Sequence, residues 1–232
     1  MIPIRDDQPR FSVPYLTYFL IGLNLVIFFF ESALDRDSLM AVMFQFGLVP
    51  SQVTALVAGS RYASPLAALV PFFTSMFLHG SWLHVIGNMW FLWIFGDNIE
   101  DYLGHLKYLI FYLLSGFAAA TAQVALTPHS RVPTIGASGA IAGVLGAYFI
   151  LYPKARVLTW FPIFFLFHLP AWIMLGYWFV VQFLSGTATS LSYAGNNSGG
   201  VAFWAHVGGF LAGLIMIKIF PERPQRARYG TW

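Results

Sequence analysis

The sequence has no cysteine and very little charge. Without cysteine, disulfides, thiolate catalysis and Cys-based metal sites are all excluded. Charged residues make up 9% of the chain, whereas soluble domains contain about 25%. Hydrophobic residues make up 58%. This balance places the chain among membrane proteins before any motif is considered.

The sequence has no cluster of basic residues, and a long stretch of it has no acidic residue. The net charge is +3, and no run of Lys and Arg interleaved with aromatic residues indicates a nucleic-acid partner. Asp and Glu are absent between Asp101 and Glu222. The sequence therefore argues for a dyad rather than for a catalytic triad with a carboxylate member.

Apolar segments dominate what is present. Six of them are near the ~20 residues that a bilayer-spanning helix needs, and they lie at 14–31, 82–99, 106–126, 136–152, 169–186 and 201–220. The region 32–80 is also partly apolar, but Pro65 and Pro71 interrupt it. We expect a large first loop in the membrane interface with short amphipathic helices. A seventh span is the alternative.

The distribution of basic residues predicts the orientation. With the N-terminus inside, nine Lys and Arg lie on the inner side and three on the outer side, which supports cytoplasmic N- and C-termini. We expect one polytopic domain over 1–232, with a cytoplasmic segment at 1–13, a six-helix core at 14–220 and a cytoplasmic tail at 221–232. Six spans without appended domains and a basic tail suggest a prokaryotic plasma membrane.

This topology brings four polar residues to one depth. Spans two, four and six begin on the outer side, and their first turns contain His84 and Asn88, then Ser138, then His206. Polar groups inside a membrane are costly and usually face a bundle interior or water. Span four is also short, so Ser138 is expected below the outer surface, at the floor of a wet pocket.

The residue types at this depth suit acyl transfer. A histidine can take the proton of a serine hydroxyl and make it a nucleophile, so Ser138 and His206 form a candidate dyad. Gly136 allows a tight approach to a helix start whose free N–H groups can bind an oxyanion. His84 and Asn88 lie four residues apart on one helix face and add side-chain donors. Gly139 and Gly143 form a small-xxx-small pair on span four, and Gly209 and Gly213 share the His206 face of span six, so the small residues favour close approach of the two helices.

Other interpretations of these residues remain open. Ser138 alone could be a packing serine in a Gly-rich helix, and Asn88 could bind a neighbouring helix. His79 and His84 do not match a zinc motif and have no nearby carboxylate, so we expect no metal and no cofactor. A small transporter or channel would need polar residues along a path through the membrane, and the inner halves of spans four to six carry almost none.

Four motifs in order resemble the rhomboid family of intramembrane serine proteases. They are Gly136-Ala-Ser138-Gly139, Ala205-His206-x-x-Gly209, His84-x-x-x-Asn88 and Gly96-x-x-x-Glu100-x-x-x-Gly104. Each motif is weak alone, and the resemblance extends from Tyr15 to Phe220.

The resemblance implies an all-α membrane protein, a six-transmembrane-helix rhomboid-like bundle with a large interfacial first loop. It implies a serine endopeptidase that uses a Ser138–His206 dyad to hydrolyse peptide bonds in or near transmembrane segments. Asn88, His84 and the backbone that follows Gly136 would bind the oxyanion. The partners would be single-span membrane protein substrates and the lipid bilayer, and span five would be a mobile gate.

One departure from the family pattern concerns the base. Some members place a tyrosine one turn after the serine, under the histidine, and here that position is Ala142. We expect Tyr148 or an aromatic residue from a neighbouring helix to hold His206. The alternative to a protease is an inactive relative that binds transmembrane segments, although such relatives usually lose the serine or the histidine.

Overall fold

The computed structural model describes residues 1–161, 165–192 and 202–223, so residue 201 of predicted span six and residues 224–232 of the predicted tail lie outside the described residues. The described chain is a bundle of apolar helices with a small sheet at one end. The long helices are α1 (Tyr15–Ser32), α6 (Trp82–Leu103), α7 (His105–Leu126), α8 (Ser138–Leu151), α9 (Ala171–Ser192) and α10 (Phe203–Met216). Each coincides with one of the six predicted apolar segments to within a few residues.

The six helices differ in their ability to cross a membrane. Helices α1, α7 and α9 are each long and apolar enough to cross a membrane. Helix α6 meets the same criteria only together with Pro65–Phe77, from which it is bent by 75°. The apolar helices α8 and α10 are shorter, with 14 residues each. Helices of 14 residues reach about 21 Å, so the two begin or end within the bundle. The chain is an all-α membrane bundle.

The region between α1 and α6 folds as short helices. They are α2 (Arg36–Phe46), α3 (Pro50–Val57), α4 (Pro65–Leu69) and α5 (Pro71–Thr74), followed by a 3₁₀ turn at Ser75–Phe77. Pro65 and Pro71 occupy first turns of α4 and α5, where a missing N–H costs nothing. The predicted first loop with short helices is confirmed, and the region supplies no independent seventh span among the described helices.

Helix α8 is the centre of the bundle, with every residue from Gly139 to Tyr148 buried. It lies against α10 at van der Waals distance between backbones. A Cβ placed on Gly209 would lie 2.1 Å from the Gly139 carbonyl oxygen, and one on Gly213 would lie 2.0 Å from that of Gly143. The predicted small-residue contact between the two helices is confirmed.

A turn centred on Glu100 and Gly104 fixes α1, α6 and α7 together. The Glu100 carboxylate accepts hydrogen bonds from the backbone N–H groups of Leu16 and Thr17 at 2.9 and 2.7 Å, so it caps the start of α1 from another helix. Gly104 joins α6 to α7 at φ 78°, a conformation that favours glycine.

A three-stranded antiparallel sheet was not expected from the sequence. It has the order β1 (Ile2–Arg5), β2 (Arg156–Phe161) and β3 (Phe165–Pro170). Strand β1 belongs to the predicted N-terminal segment, and the β2–β3 hairpin joins α8 to α9. The sheet therefore connects the N-terminus to the helix that carries Ser138 and to the helix predicted to act as a gate.

Candidate active site

Ser138 is the first residue of α8. The segment before it is held in place by the first loop, because Thr134 pairs with Leu48 and the Gly136 N–H donates to the Ser75 carbonyl oxygen at 2.8 Å. Gly136 has φ 116°, a conformation that side chains rarely allow. This turn leads directly into α8, whose first N–H groups have no partner within the helix.

His206 lies in the first turn of α10 and reaches Ser138 directly. The distance between His206 Nε2 and Ser138 Oγ is 2.7 Å. On the other side of the ring, Nδ1 lies 2.7 Å from the Gln182 amide oxygen. Because that oxygen accepts a hydrogen bond, Nδ1 carries the proton and Nε2 offers a lone pair to the serine hydroxyl. This is the tautomer that a general base needs.

The residues that hold His206 come from α9. Besides Gln182, the Trp178 ring lies 5.7 Å from the imidazole at an angle of 35°. Tyr148, one of the two candidates from the sequence, instead donates its hydroxyl proton to the Asp6 carboxylate at the other end of α8. The expected aromatic residue from a neighbouring helix is therefore Trp178. Sequence analysis missed Gln182, although it lies within α9 one turn from Trp178, as a polar residue in an apolar helix.

His84 and Asn88 lie beside the backbone that leads to Ser138. A Cβ on Gly136 would lie 2.6 Å from His84 Nε2 and 3.5 Å from Asn88 Nδ2. The His84 Nδ1 atom accepts a long hydrogen bond of 3.5 Å from the Gly80 N–H, which leaves Nε2 as the protonated nitrogen. The structure thus brings together all five residues that the sequence singled out.

His79 belongs to this cluster, whereas sequence analysis placed it at the interface. It is 1% exposed, and its Nε2 lies 3.0 Å from Asn88 Nδ2. Its own backbone N–H donates to the buried Glu31 carboxylate at 3.1 Å. The 75° bend between the 3₁₀ turn and α6 folds His79 inward, which residue spacing alone does not indicate. His79 thereby orients the Asn88 amide towards Gly136.

The space beside Ser138 is small. A cavity of about 20 Å³ adjoins Ser138 and Gly136, which is enough for about one water molecule and too little for a peptide. As the described residues form it, this cavity is smaller than the wet pocket that the sequence predicts at Ser138. Among the described residues, no group of three or more His, Asp or Glu side chains could hold a metal ion.

The fold and this cluster define a polytopic membrane protein with a hydrogen-bonded Ser–His pair between three apolar helices. A family profile described as the Rhomboid domain matches residues 67–223, which is more than half of the chain. The protein belongs to the rhomboid family.

Curated relatives agree with this assignment. Rhomboid protein 1, mitochondrial, of Saccharomyces cerevisiae is 31% identical over 145 residues, covering 61% of this chain and 39% of that protein. Presenilin-associated rhomboid-like protein, mitochondrial, of Mus musculus is 29% identical over 192 residues, covering 76% and 45%. Rhomboid-like protein 11, chloroplastic, of Arabidopsis thaliana is 27% identical over 158 residues, covering 66% and 53%. The chain spans about two fifths to one half of the length of these relatives.

The predicted prokaryotic plasma membrane is wrong. The relatives are named as mitochondrial or chloroplastic proteins, which points away from a prokaryotic plasma membrane. The error has a physical cause, because apolar spans and a basic tail satisfy the same hydrophobic and charge rules in membranes of different origin. Integration into a membrane is consistent with both the helices and the family.

Proposed function

We propose that this protein is a serine endopeptidase that hydrolyses peptide bonds in or near the transmembrane segments of single-span membrane proteins. The observation that carries the proposal is the 2.7 Å contact between Ser138 Oγ and His206 Nε2. It is supported by the Gln182 contact that fixes the imidazole tautomer. Family membership supports the same chemistry, since the family resemblance implies a Ser–His dyad.

The first half of the reaction forms an acyl-enzyme. Ser138 Oγ attacks the carbonyl carbon of the scissile peptide bond while His206 Nε2 takes the hydroxyl proton. The negative charge moves to the carbonyl oxygen, where the Ser138 N–H, His84 Nε2–H and Asn88 Nδ2–H can stabilise it. His206 then gives its proton to the amide nitrogen, the C–N bond breaks, and the amine product leaves.

The second half consumes one water molecule. His206 Nε2 takes a proton from water, and the resulting hydroxide equivalent attacks the ester carbonyl. Collapse of this intermediate returns the proton to Ser138 Oγ and releases the carboxylic acid product. The cavity of about 20 Å³ beside Ser138 is large enough for that water.

Substrate access requires displacement of part of the bundle, and α9 is the candidate element. In the apolar window of α9, 22% of the residues are buried, compared with 39% in α7. Its Trp178 and Phe179 rings pack on Phe210 of α10, and these ring contacts can separate without breaking a buried ion pair. Movement of α9 would open a path to Ser138 and would also withdraw Gln182 from His206.

The test is cleavage of a single-span test substrate by purified protein in liposomes. Ser138→Ala and His206→Ala should each lower the cleavage rate by at least about 10³-fold with unchanged melting. Ser115→Ala is the control, because Ser115 is a buried serine of the bundle that makes no described contact with His206. Cleavage by Ser138→Ala at the wild-type rate would contradict the proposal.

The alternative is an inactive relative that binds transmembrane segments. The assay separates the two functions, since such a protein would retain substrate without cleaving it in both wild type and Ser138→Ala. The intact hydrogen bond between Ser138 and His206 favours the protease.

A further inference from the structure

A second, larger cavity lies at the opposite end of α8 from Ser138. Its volume is about 410 Å³, and its lining is Lys154, Arg156, His168, Pro170 and Trp172. Two of these side chains are cationic, one is a histidine and none is acidic. The cavity adjoins Ala171, the first residue of α9, where the positive end of the helix dipole also favours an anion.

Both cationic side chains of this cavity are accessible to a ligand. Lys154 and Arg156 are exposed, and neither forms an ion pair within the described part of the chain. Asp7 is the acid that reaches the hairpin, and its carboxylate accepts a hydrogen bond from the Arg156 backbone N–H at 2.8 Å. The guanidinium group therefore remains available to a ligand.

The face of the hairpin that continues from this cavity is apolar. In the β2–β3 register, Arg156 pairs with Pro170, Leu158 with His168, and Trp160 with Leu166. Directly paired residues share a face of the sheet, so the basic residues at the base and the apolar residues at the tip lie in one row. At the tip, Trp160 is 43% exposed and Leu166 is 60% exposed.

The tip of the β2–β3 hairpin lies farther along the helix bundle than the start of the hairpin at Arg156 and Pro170. In β1, the Pro3 carbonyl oxygen accepts a hydrogen bond from Trp90 Nε1 at 2.6 Å, and Ile2 pairs with Trp160. Trp90 lies 13 residues before the end of α6 at Leu103, or about 20 Å along the helix axis. Closer to that end, Arg10 contacts Asp97. The hairpin therefore lies alongside α6, with its tip farther from the Leu103 end of that helix than its base.

We propose that this cavity binds the phosphate group of an anionic phospholipid. The phosphate would contact Arg156 and Lys154. The planar guanidinium group of Arg156 can donate two parallel hydrogen bonds to phosphate oxygens, and the ammonium group of Lys154 adds a compact positive charge. The acyl chains would follow the exposed Trp160 and Leu166 face into the membrane. Trp172, 52% exposed at the start of α9, has the position of an interfacial aromatic residue. This row of side chains is cationic at the start of the hairpin and apolar at its tip, as a phospholipid is anionic at its headgroup and apolar along its acyl chains. A free phosphate would contact only the cationic residues.

The test measures lipid retention by the full-length protein. The purified protein is loaded with equal amounts of phosphatidylglycerol and phosphatidylcholine, and native mass spectrometry counts the lipids that remain bound. We expect wild type to retain phosphatidylglycerol preferentially. The double variant Lys154→Gln/Arg156→Gln should lower its apparent affinity by about tenfold or more, given the typical contribution of juxtamembrane basic residues.

The matched control is Lys107→Gln/Lys218→Gln. Neither lysine lines the cavity or lies in the sheet, and neither makes a described ion pair, so the control removes the same charge outside the proposed site. It should change the affinity less than about twofold. Equal loss in both double variants would mean nonspecific attraction and would overturn the proposal.

Two further experiments distinguish binding of the whole lipid from binding of a phosphate group alone. Equal retention of phosphatidylcholine, or no retention of either lipid, would overturn the proposal. Inorganic phosphate and glycerol 3-phosphate are added as competitors at concentrations matched to the lipid. If either displaces phosphatidylglycerol at equal concentration, the cavity binds a free phosphate and the lipid assignment is wrong. The measurement does not depend on cleavage, so it is independent of the proposed protease activity.

Discussion

The two ends of the bundle hold their polar groups in different ways. At the Ser138 end, the contacts of His206 are neutral, with a hydroxyl on one nitrogen and the Gln182 amide on the other. At the opposite end carboxylates make the contacts, since Glu100 lies 2.6 Å from His105 Nδ1 and Asp101 forms an ion pair with Arg223 at 2.9 Å.

This difference assigns separate tasks to the two ends. Carboxylates fix helix ends where the chain enters and leaves the membrane, because charged hydrogen bonds are strong and directional there. At the Ser138 end, no carboxylate hydrogen-bonds to Ser138 or His206 among the described residues. In the proposed mechanism, a base held by neutral groups would be released by movement of α9 without leaving a buried charge unpaired.

The largest loss of stability is expected where α8 meets α10. In Gly213→Ala, the new Cβ would lie 2.0 Å from the Gly143 carbonyl oxygen, so the two backbones must separate. We expect destabilisation of about 3 kcal/mol or more, measured by thermal melting in detergent. Gly22→Ala is the control, because nothing lies within 4 Å of a Cβ there. Similar melting of the two variants would contradict the close packing.

The next largest loss of stability is expected at the Glu100 end of the bundle. Glu100→Gln removes the charge that caps α1 and should lower stability by about 2–3 kcal/mol, as expected for hydrogen bonds to a charged group. Asp37→Asn, on the exposed helix α2, should stay within about 0.5 kcal/mol of wild type. The cleavage rate of Glu100→Gln below its melting temperature should equal that of wild type, and a selective loss of rate would assign Glu100 to the site instead.

Substitutions of Gln182 test the neutral contacts that hold His206. Gln182→Leu removes the acceptor at His206 Nδ1 and should lower the cleavage rate by about 10- to 100-fold, because the base loses its orientation. Melting should be nearly unchanged, since Gln182 is half-buried. Thr187→Val on the same helix is the control. Gln182→Glu keeps an acceptor and should restore most of the rate, whereas equal loss in both Gln182 variants would indicate a packing role.

The smallest effect is a pH dependence at the sheet end. Burial raises the pKa of the Asp6 carboxyl from 3.8 to about 6, with Asp7 also raising it and the Tyr148 hydrogen bond opposing the shift. Between these pH values the folded state binds more protons than the unfolded state, so stability falls as pH rises from about 4 to 6. The loss should not exceed about 1–2 kcal/mol, because the terminal strand can detach locally.

The check for Asp6 is the melting temperature of wild type and Asp6→Asn across pH 4 to pH 7. The variant carries no titrating group at this position, so its melting curve should be flatter over that interval. Asp37→Asn, in the exposed helix α2 outside the sheet, is the control for loss of a carboxylate. A wild-type melting temperature that rises with pH would contradict the assignment of this titration to Asp6.

The sequence alone predicts much of the fold because a bilayer constrains it strongly. Apolar length determines where α1, α6, α7 and α9 lie, and the order of starts on one side brings Ser138 and His206 together. Small residues at Gly143 and Gly213 indicate which helices approach. These signals are local or follow from topology, so they need no knowledge of packing.

Other features depend on contacts between distant segments. The pairing of β1 with β2 joins residues about 150 positions apart in the chain, and neither strand has an alternating pattern that stands out from its apolar surroundings. His79 turns inward through a helix bend, and Gln182 reaches His206 because of how α9 packs. None of these is encoded by a spacing within one segment.

The most direct test of the Ser138–His206 assignment is labelling of the folded protein with a fluorophosphonate probe, followed by peptide mapping. The account predicts a covalent adduct on Ser138, formed at a rate that falls by at least about 10²-fold in His206→Ala. Ser115 should remain unlabelled. A folded protein that does not label at Ser138, or that labels equally fast without His206, would contradict the claim that this histidine activates this serine.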